Sequence, residues 1–122
     1  KRQQGAFGLV CNAFITEEAI RAIKETVEIP LVYTVVSEQA DVAGKLAAGV
    51  DFLNVSGAAR TPEIVAHIRE IFPEVPIIAT GGPTDDTIRA TIEAGANAIT
   101  YTPPTSAELF AESMRKYRGK FA

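Results

Sequence analysis

The stretch Val75-Pro76-Ile77-Ile78-Ala79-Thr80-Gly81-Gly82-Pro83-Thr84-Asp85-Asp86 decides the fold. Residues 77–79 are short and wholly apolar, which suits a parallel strand covered on both faces better than a half-exposed one. Gly81 and Gly82 follow and leave their backbone N–H groups unshielded by side chains. Thr84 is placed to cap a helix, and Asp85 and Asp86 suit that helix's positive end. Strand, bare amides and helix N-terminus in this order make an anion site. The same spacing also describes a tight βα turn that holds nothing.

Working outward in both directions, the same alternation recurs. Strands are expected at residues 7–11, 31–36, 52–55, 77–79 and 98–101. Thr16 caps a helix over 17–27 with Ala19, Ile20, Ile23 and Val27 on one face. Ser37 caps a helix over 38–47, which stops at Gly49. Thr61-Pro62-Glu63 combines a cap, an N1 proline and a first-turn acid, and the helix it opens turns Ile64, Val65, Ile68 and Ile71 inward. The helix over 85–94 stops at Gly95, and Thr105 with Glu108 makes a capping box for the last one, over 107–117. Five consecutive βα units imply a parallel sheet with right-handed crossovers.

Composition narrows the function classes. The chain has 122 residues, enough for a single α/β domain or a piece of a larger one. A net charge of −3 gives no support for a nucleic-acid or membrane-surface partner. The single cysteine, Cys11, excludes an intrachain disulfide framework and fits a reducing, cytoplasmic setting. No apolar run reaches the roughly 18 residues of a membrane span.

An internal repeat joins the second and third units to the fourth and fifth. Pro30 aligns with Pro76, Thr34 with Thr80, and Ala48-Gly49 with Ala94-Gly95, at a constant offset. Chance and shared turn chemistry compete with true repetition as the explanation. Two folds accept five βα units. One is the C-terminal five-eighths of a (β/α)8 barrel, lacking the first three βα units. The other is a complete flavodoxin-like open sheet. The repeat and a start at Lys1-Arg2-Gln3-Gln4, without Met, favour the barrel.

Pro76-Ile77-Ile78-Ala79-Thr80-Gly81-Gly82, then Thr87-Ile88 and Glu93-Ala94-Gly95-Ala96-Asn97-Ala98-Ile99, resembles the last two units of the phosphate-binding TIM barrels. The resemblance is to the superfamily. It includes thiamine-phosphate synthase, the indole-glycerol-phosphate and histidine-pathway barrels, the keto-deoxy-gluconate-phosphate aldolases and the glycerol-responsive antiterminator proteins. It implies a phosphate held on the loops after the last two strands, on the amides of Gly81 and Gly82. It also implies a small phosphorylated molecule or inorganic anion as partner. Tyr101-Thr102-Pro103-Pro104 departs from the pattern, because two prolines offer no N–H groups.

In such sheets chemistry lies at the carboxyl ends of the strands. Those ends offer Cys11 and Asn12, then Tyr33 and Thr34, then Asn54, Ser56 and Arg60, then Thr80, and finally Thr100, Tyr101 and Thr102. Thr80, Asn54, Ser56 and Thr102 are expected to line the ligand site with Gly81 and Gly82. Arg60 is a candidate phosphate partner or an exposed loop arginine, and Tyr33 and Tyr101 are candidate hydrogen-bond donors to a ligand or buried residues with satisfied hydroxyls. Cys11 is a candidate nucleophile or a small buried residue. No Asp, Glu, His or Lys is expected at a strand end, so no Schiff-base lysine, metal or cofactor is expected and no catalytic residue is assigned. His67 is expected to be a solvated helix residue. An enzyme and a non-catalytic sensor resembling the antiterminator proteins both fit. A five-strand arc has two unpaired edges, so a homodimer or association with the rest of a barrel is expected.

Overall fold

The apolar runs become strands and the capped amphipathic runs become helices. The structure, a computed structural model, describes residues 5–80, 84–100 and 106–121. Its elements are β1 (Leu9–Cys11), α1 (Glu17–Thr26), β2 (Leu31–Val35), α2 (Val42–Ala48), β3 (Phe52–Val55), α3 (Thr61–Ile71), β4 (Ile77–Thr80), α4 (Asp85–Ala94), β5 (Ala98–Thr100) and α5 (Ser106–Phe121). A short 3-10 turn, Ala58–Arg60, leads into α3.

The strands lie in chain order, β1-β2-β3-β4-β5, each parallel to the next. A flavodoxin-like sheet reverses order beside its first strand. That alternative, and the complete flavodoxin-like module that went with it, are therefore excluded. The layering agrees. Leu31, Tyr33 and Val35 of β2, Leu53 and Val55 of β3, and Ile77 and Ala79 of β4 share one buried cluster with helix residues. The helix residues are Ile20 of α1, Val42 and Ala48 of α2, and Ile64, Val65 and Ile68 of α3. All three helices thus cover the same face, as in a barrel wall and unlike a doubly wound sheet. Each fully buried Leu, Ile or Val here contributes about 1.5–3 kcal/mol.

Strand alternation sends the other residues to the opposite face. That face carries Val10, Val32, Thr34, Phe52, Asn54, Ile78, Thr80, Ala98 and Thr100. Among these only Val32 is buried, so coverage on both faces, expected from residues 77–79, is not met within this arc. No helix among the described residues is long and apolar enough to cross a membrane.

Two helix starts differ from expectation. The second helix begins at Val42, not at residue 38, because the Asp41 carboxylate accepts the Gly44 N–H at 3.0 Å and caps it there. Thr61 does not cap α3. It is the first helical residue, fully buried, and its hydroxyl accepts the Gly57 N–H at 2.9 Å instead. Thr16 and Thr84 do cap α1 and α4, accepting from the N–H groups of Ala19 and Thr87.

The repeat is visible as repeated bonding. Gly49 ends α2 at φ 127° and Gly95 ends α4 at φ 116°, both in the region that favours glycine. The Asp51 carboxylate accepts the Leu31 N–H at 2.9 Å, and the Asn97 side-chain carbonyl accepts the Ile77 N–H at 2.9 Å. Backbone bonds return from Asp51 N–H to Leu31 O and from Asn97 N–H to Ile77 O. A cation from the preceding helix pair closes each junction. Lys24 meets Asp51 at 3.1 Å, and Arg69 donates to the Asn97 side chain at 3.0 Å. Both junctions lie at the amino ends of the strands, the end opposite the chemistry in barrels.

Candidate functional site

Register and pleat bring polar strand tips together on the face away from the helices. Thr34 pairs with Asn54, and Thr80 with Thr100. Asn54 pairs with Ile78 and Val55 with Ala79, and continuing that register sets Ser56 beside Thr80. Neighbouring strands lie about 4.8 Å apart, so Ser56, Thr80 and Thr100 form one row at the carboxyl tips and Thr34 and Asn54 the row below. Thr34, Asn54, Ser56 and Thr80 are half-buried. Among the described residues none of these four side chains has a hydrogen-bond partner, so their polar ends are available to a ligand.

Gly81, Gly82, Tyr101 and Thr102 lie outside the described residues. They follow Thr80 and Thr100 directly in sequence. Beyond Gly82, Thr84 caps α4, with Asp85 and Asp86 in its first turn.

Cys11 and Tyr33 are paired in register and lie on the helix-facing side, away from that row. The Tyr33 hydroxyl donates to the Ala13 carbonyl at 3.4 Å, and the Lys45 ammonium sits 5.5 Å from its ring centroid. Burial pushes the Cys11 thiol above its ordinary 9.0. Burial, then the Asp41 carboxylate, pushes the Tyr33 phenol above its ordinary 10.0. The fold thus holds both groups neutral. Their contribution to stability is complete below the unfolded values and is lost as pH rises through the folded ones. The urea midpoint is expected to be flat from about pH 7 to about pH 8.5 and to fall above about pH 9. A midpoint unchanged in urea titrations at about pH 11 would show that the two groups titrate as if exposed.

The loops beyond β2 and β3 contribute a group that the sequence reading placed elsewhere. Because α2 starts at Val42, Glu38 is a loop residue just past the tip of β2, and an acid does stand near a strand end. Its carboxylate forms an ion pair with Arg60, in the turn that follows β3. The signal available in the sequence was Asp41, a better helix cap than Ser37 for a helix with Gly44 in its first turn. The cleft beside the pair, about 290 Å³, is lined by Val36, Ser37, Glu38, Gln39, Arg60 and Ile64.

His67 is exposed on α3, and Asp51 is engaged at the opposite end of the strands. Among the described residues no three His, Cys, Asp or Glu side chains converge as a metal site would require.

No protein-family model matches the chain. It is 29% identical over 94 residues to thiamine-phosphate synthase of Geobacillus thermodenitrificans (strain NG80-2), a match covering 68% of this chain and 42% of that enzyme. Among solved structures, the native KDPGal structure superposes with a TM-score of 0.62 at 19% identity, covering 83% of this chain and 48% of that one. Inosine 5' monophosphate dehydrogenase from Legionella pneumophila superposes with a TM-score of 0.64 at 19% identity, covering 82% and 33%. The chain spans less than half the length of each of these three proteins. Its five parallel βα units form part of a (β/α)8 barrel, and it resembles the phosphate-binding barrels at the level of the superfamily.

Proposed function

We propose that this chain supplies the C-terminal five βα units of a (β/α)8 barrel that binds a small phosphorylated metabolite at the carboxyl ends of its strands. The phosphate rests on the Gly81 and Gly82 amides and the α4 N-terminus. Thr80, Asn54, Ser56 and Thr102 line the ligand beside it, with Tyr101 at the rim. One observation carries this reading: free polar side chains from β2, β3, β4 and β5 gather on the unhelical face, one residue before the glycine pair. The match to thiamine-phosphate synthase supports it from the sequence side. Titration calorimetry with inorganic phosphate tests it. A binding step of the native chain that Gly81→Asp removes supports the site, and identical titrations of the two reject it.

A second reading, a sensor that binds without turnover, is favoured by the inner face itself. None of its strand positions, from Val10 to Thr100, carries Lys, His, Asp or Glu. A cytoplasmic setting accompanies either reading, on the strength of one cysteine.

The outer edge of β1 pairs with no described strand, and Phe7, Leu9, Val10 and Phe14 are exposed beside it, Phe7 at 95% and Phe14 at 90%. We assign this edge to the remaining barrel units or to a second copy of the chain. Light scattering at micromolar concentration is expected to show a mass above 13.0 kDa. A monodisperse monomer would contradict self-association.

A further inference from the structure

We propose that Glu38 and Arg60 form a displaceable ion pair marking a second oxyanion subsite at the barrel mouth. The inference rests on the phosphorylated-metabolite reading and gives that ligand a second anchoring point, for a phosphate or carboxylate group.

The pair joins two neighbouring loops. Glu38 follows β2, Arg60 follows β3, and these strands are adjacent. The two partners differ in accessibility. The Arg60 side chain is 68% exposed and that of Glu38 only 32%. The guanidinium therefore presents most of its surface outward. It carries five N–H donors, and one contact, from Nη2 to the Glu38 Oε1, leaves the rest for another acceptor. Ser37 and Gln39, whose side chains carry neutral donors, also line the cleft.

The backbone beneath Arg60 is held by local hydrogen bonds. Arg60 N–H donates to Gly57 O at 2.9 Å, and Gly57 N–H donates to the Thr61 hydroxyl at 2.9 Å. Ile64 packs against Gly57, where an added Cβ would lie 2.4 Å from the Ile64 Cδ1. Ala58, between them, has φ 52°, an uncommon conformation for a residue with a Cβ. The turn thus presents an exposed cation to the cleft.

Glu38 occupies the guanidinium as a ligand oxyanion would. Exposed ion pairs of this kind are weak, whereas a phosphate brings up to two charges and three acceptor oxygens in a geometry that suits a guanidinium. Ligand entry therefore exchanges one carboxylate for another oxyanion, with no bond made or broken, and releases Glu38 at the mouth.

Amide chemical-shift titration with inorganic phosphate tests the exchange. In the native chain, shifts are expected at residues 37–39 and 58–61. Glu38→Gln keeps the side chain's shape and removes the competing charge, and is expected to lower the half-saturating concentration at those amides about threefold. Arg60→Gln is expected to abolish the response there and to leave that of residues 84–88. Gly81→Asp is expected to do the reverse. A response confined to residues 84–88 overturns the subsite, as does a Glu38→Gln titration identical to the native one. Shifts at 37–39 and 58–61 with none at 84–88 support the subsite and reject the glycine-loop reading, so the two fail separately.

Discussion

Arg69→Ala is expected to cost about 3 kcal/mol of unfolding free energy or more, since hydrogen bonds to a charged group contribute about 1.5–3 kcal/mol each and do not add fully. Arg69 stands in the last turn of α3. Its Nη1 donates to the carbonyls of Phe72, Pro73 and Val75 at 3.2, 3.0 and 2.7 Å. Its Nη2 donates to the Gly95 carbonyl at 2.7 Å and to the Asn97 side chain at 3.0 Å. Five acceptors from two connections, α3–β4 and α4–β5, thus converge on one fork. Three of the carbonyls belong to the α3–β4 connection, where the helix dipole also favours a cation. Truncation leaves these carbonyls to water and unties Asn97, which in turn holds the first N–H of β4. Arg69→Lys keeps the charge, but three donors on a single nitrogen cannot span all five acceptors, so it is expected to recover about half of the loss. Equilibrium urea unfolding gives the measurement. A loss under about 1 kcal/mol for the alanine variant would mean that water replaces the fork without penalty.

Gly81→Asp is expected to weaken inorganic phosphate binding at least about 100-fold, equivalent to about 2.7 kcal/mol. The estimate follows from charge. Two unit charges about 4 Å apart repel by about 4 kcal/mol at an effective dielectric of 20. On the proposed reading, a carboxylate at residue 81 sets a like charge against the bound phosphate. Gly81→Ala adds bulk without charge and separates the two effects. Should the aspartate variant bind with native affinity in calorimetry, the anion lies elsewhere.

The fold was legible in the chain because its punctuation is local. Gly49 and Gly95 stop helices by backbone conformation, Thr16 and Thr84 start them by a hydroxyl within three residues, and apolar runs such as Leu31-Val32-Tyr33 form strands wherever they are covered. Side-chain partners distant in sequence were not legible. Ser37 looks like a cap because Glu38 follows it, yet Glu38 is drawn to Arg60, 22 residues on. Thr61 looks like a cap too, but its hydroxyl turns back to Gly57. In the run Leu31-Val32-Tyr33 the alternation cannot say which side meets helices, so Cys11 and Tyr33 stood open between ligand contact and burial, and both are buried on the helix side. Arg69 gave no signal at all. A basic residue in a helix's last turn normally faces solvent, and only the return of the chain through Val75 and Gly95 makes it a hub.

The matched seams at Gly49 and Gly95 bear on how such a chain changes length. A segment running from one seam to the next carries two complete units and presents the same face at both cuts: a left-handed glycine, then a side-chain acceptor gripping the strand just before it. Such a cassette can be duplicated or lost without disturbing the alignment of any surviving strand.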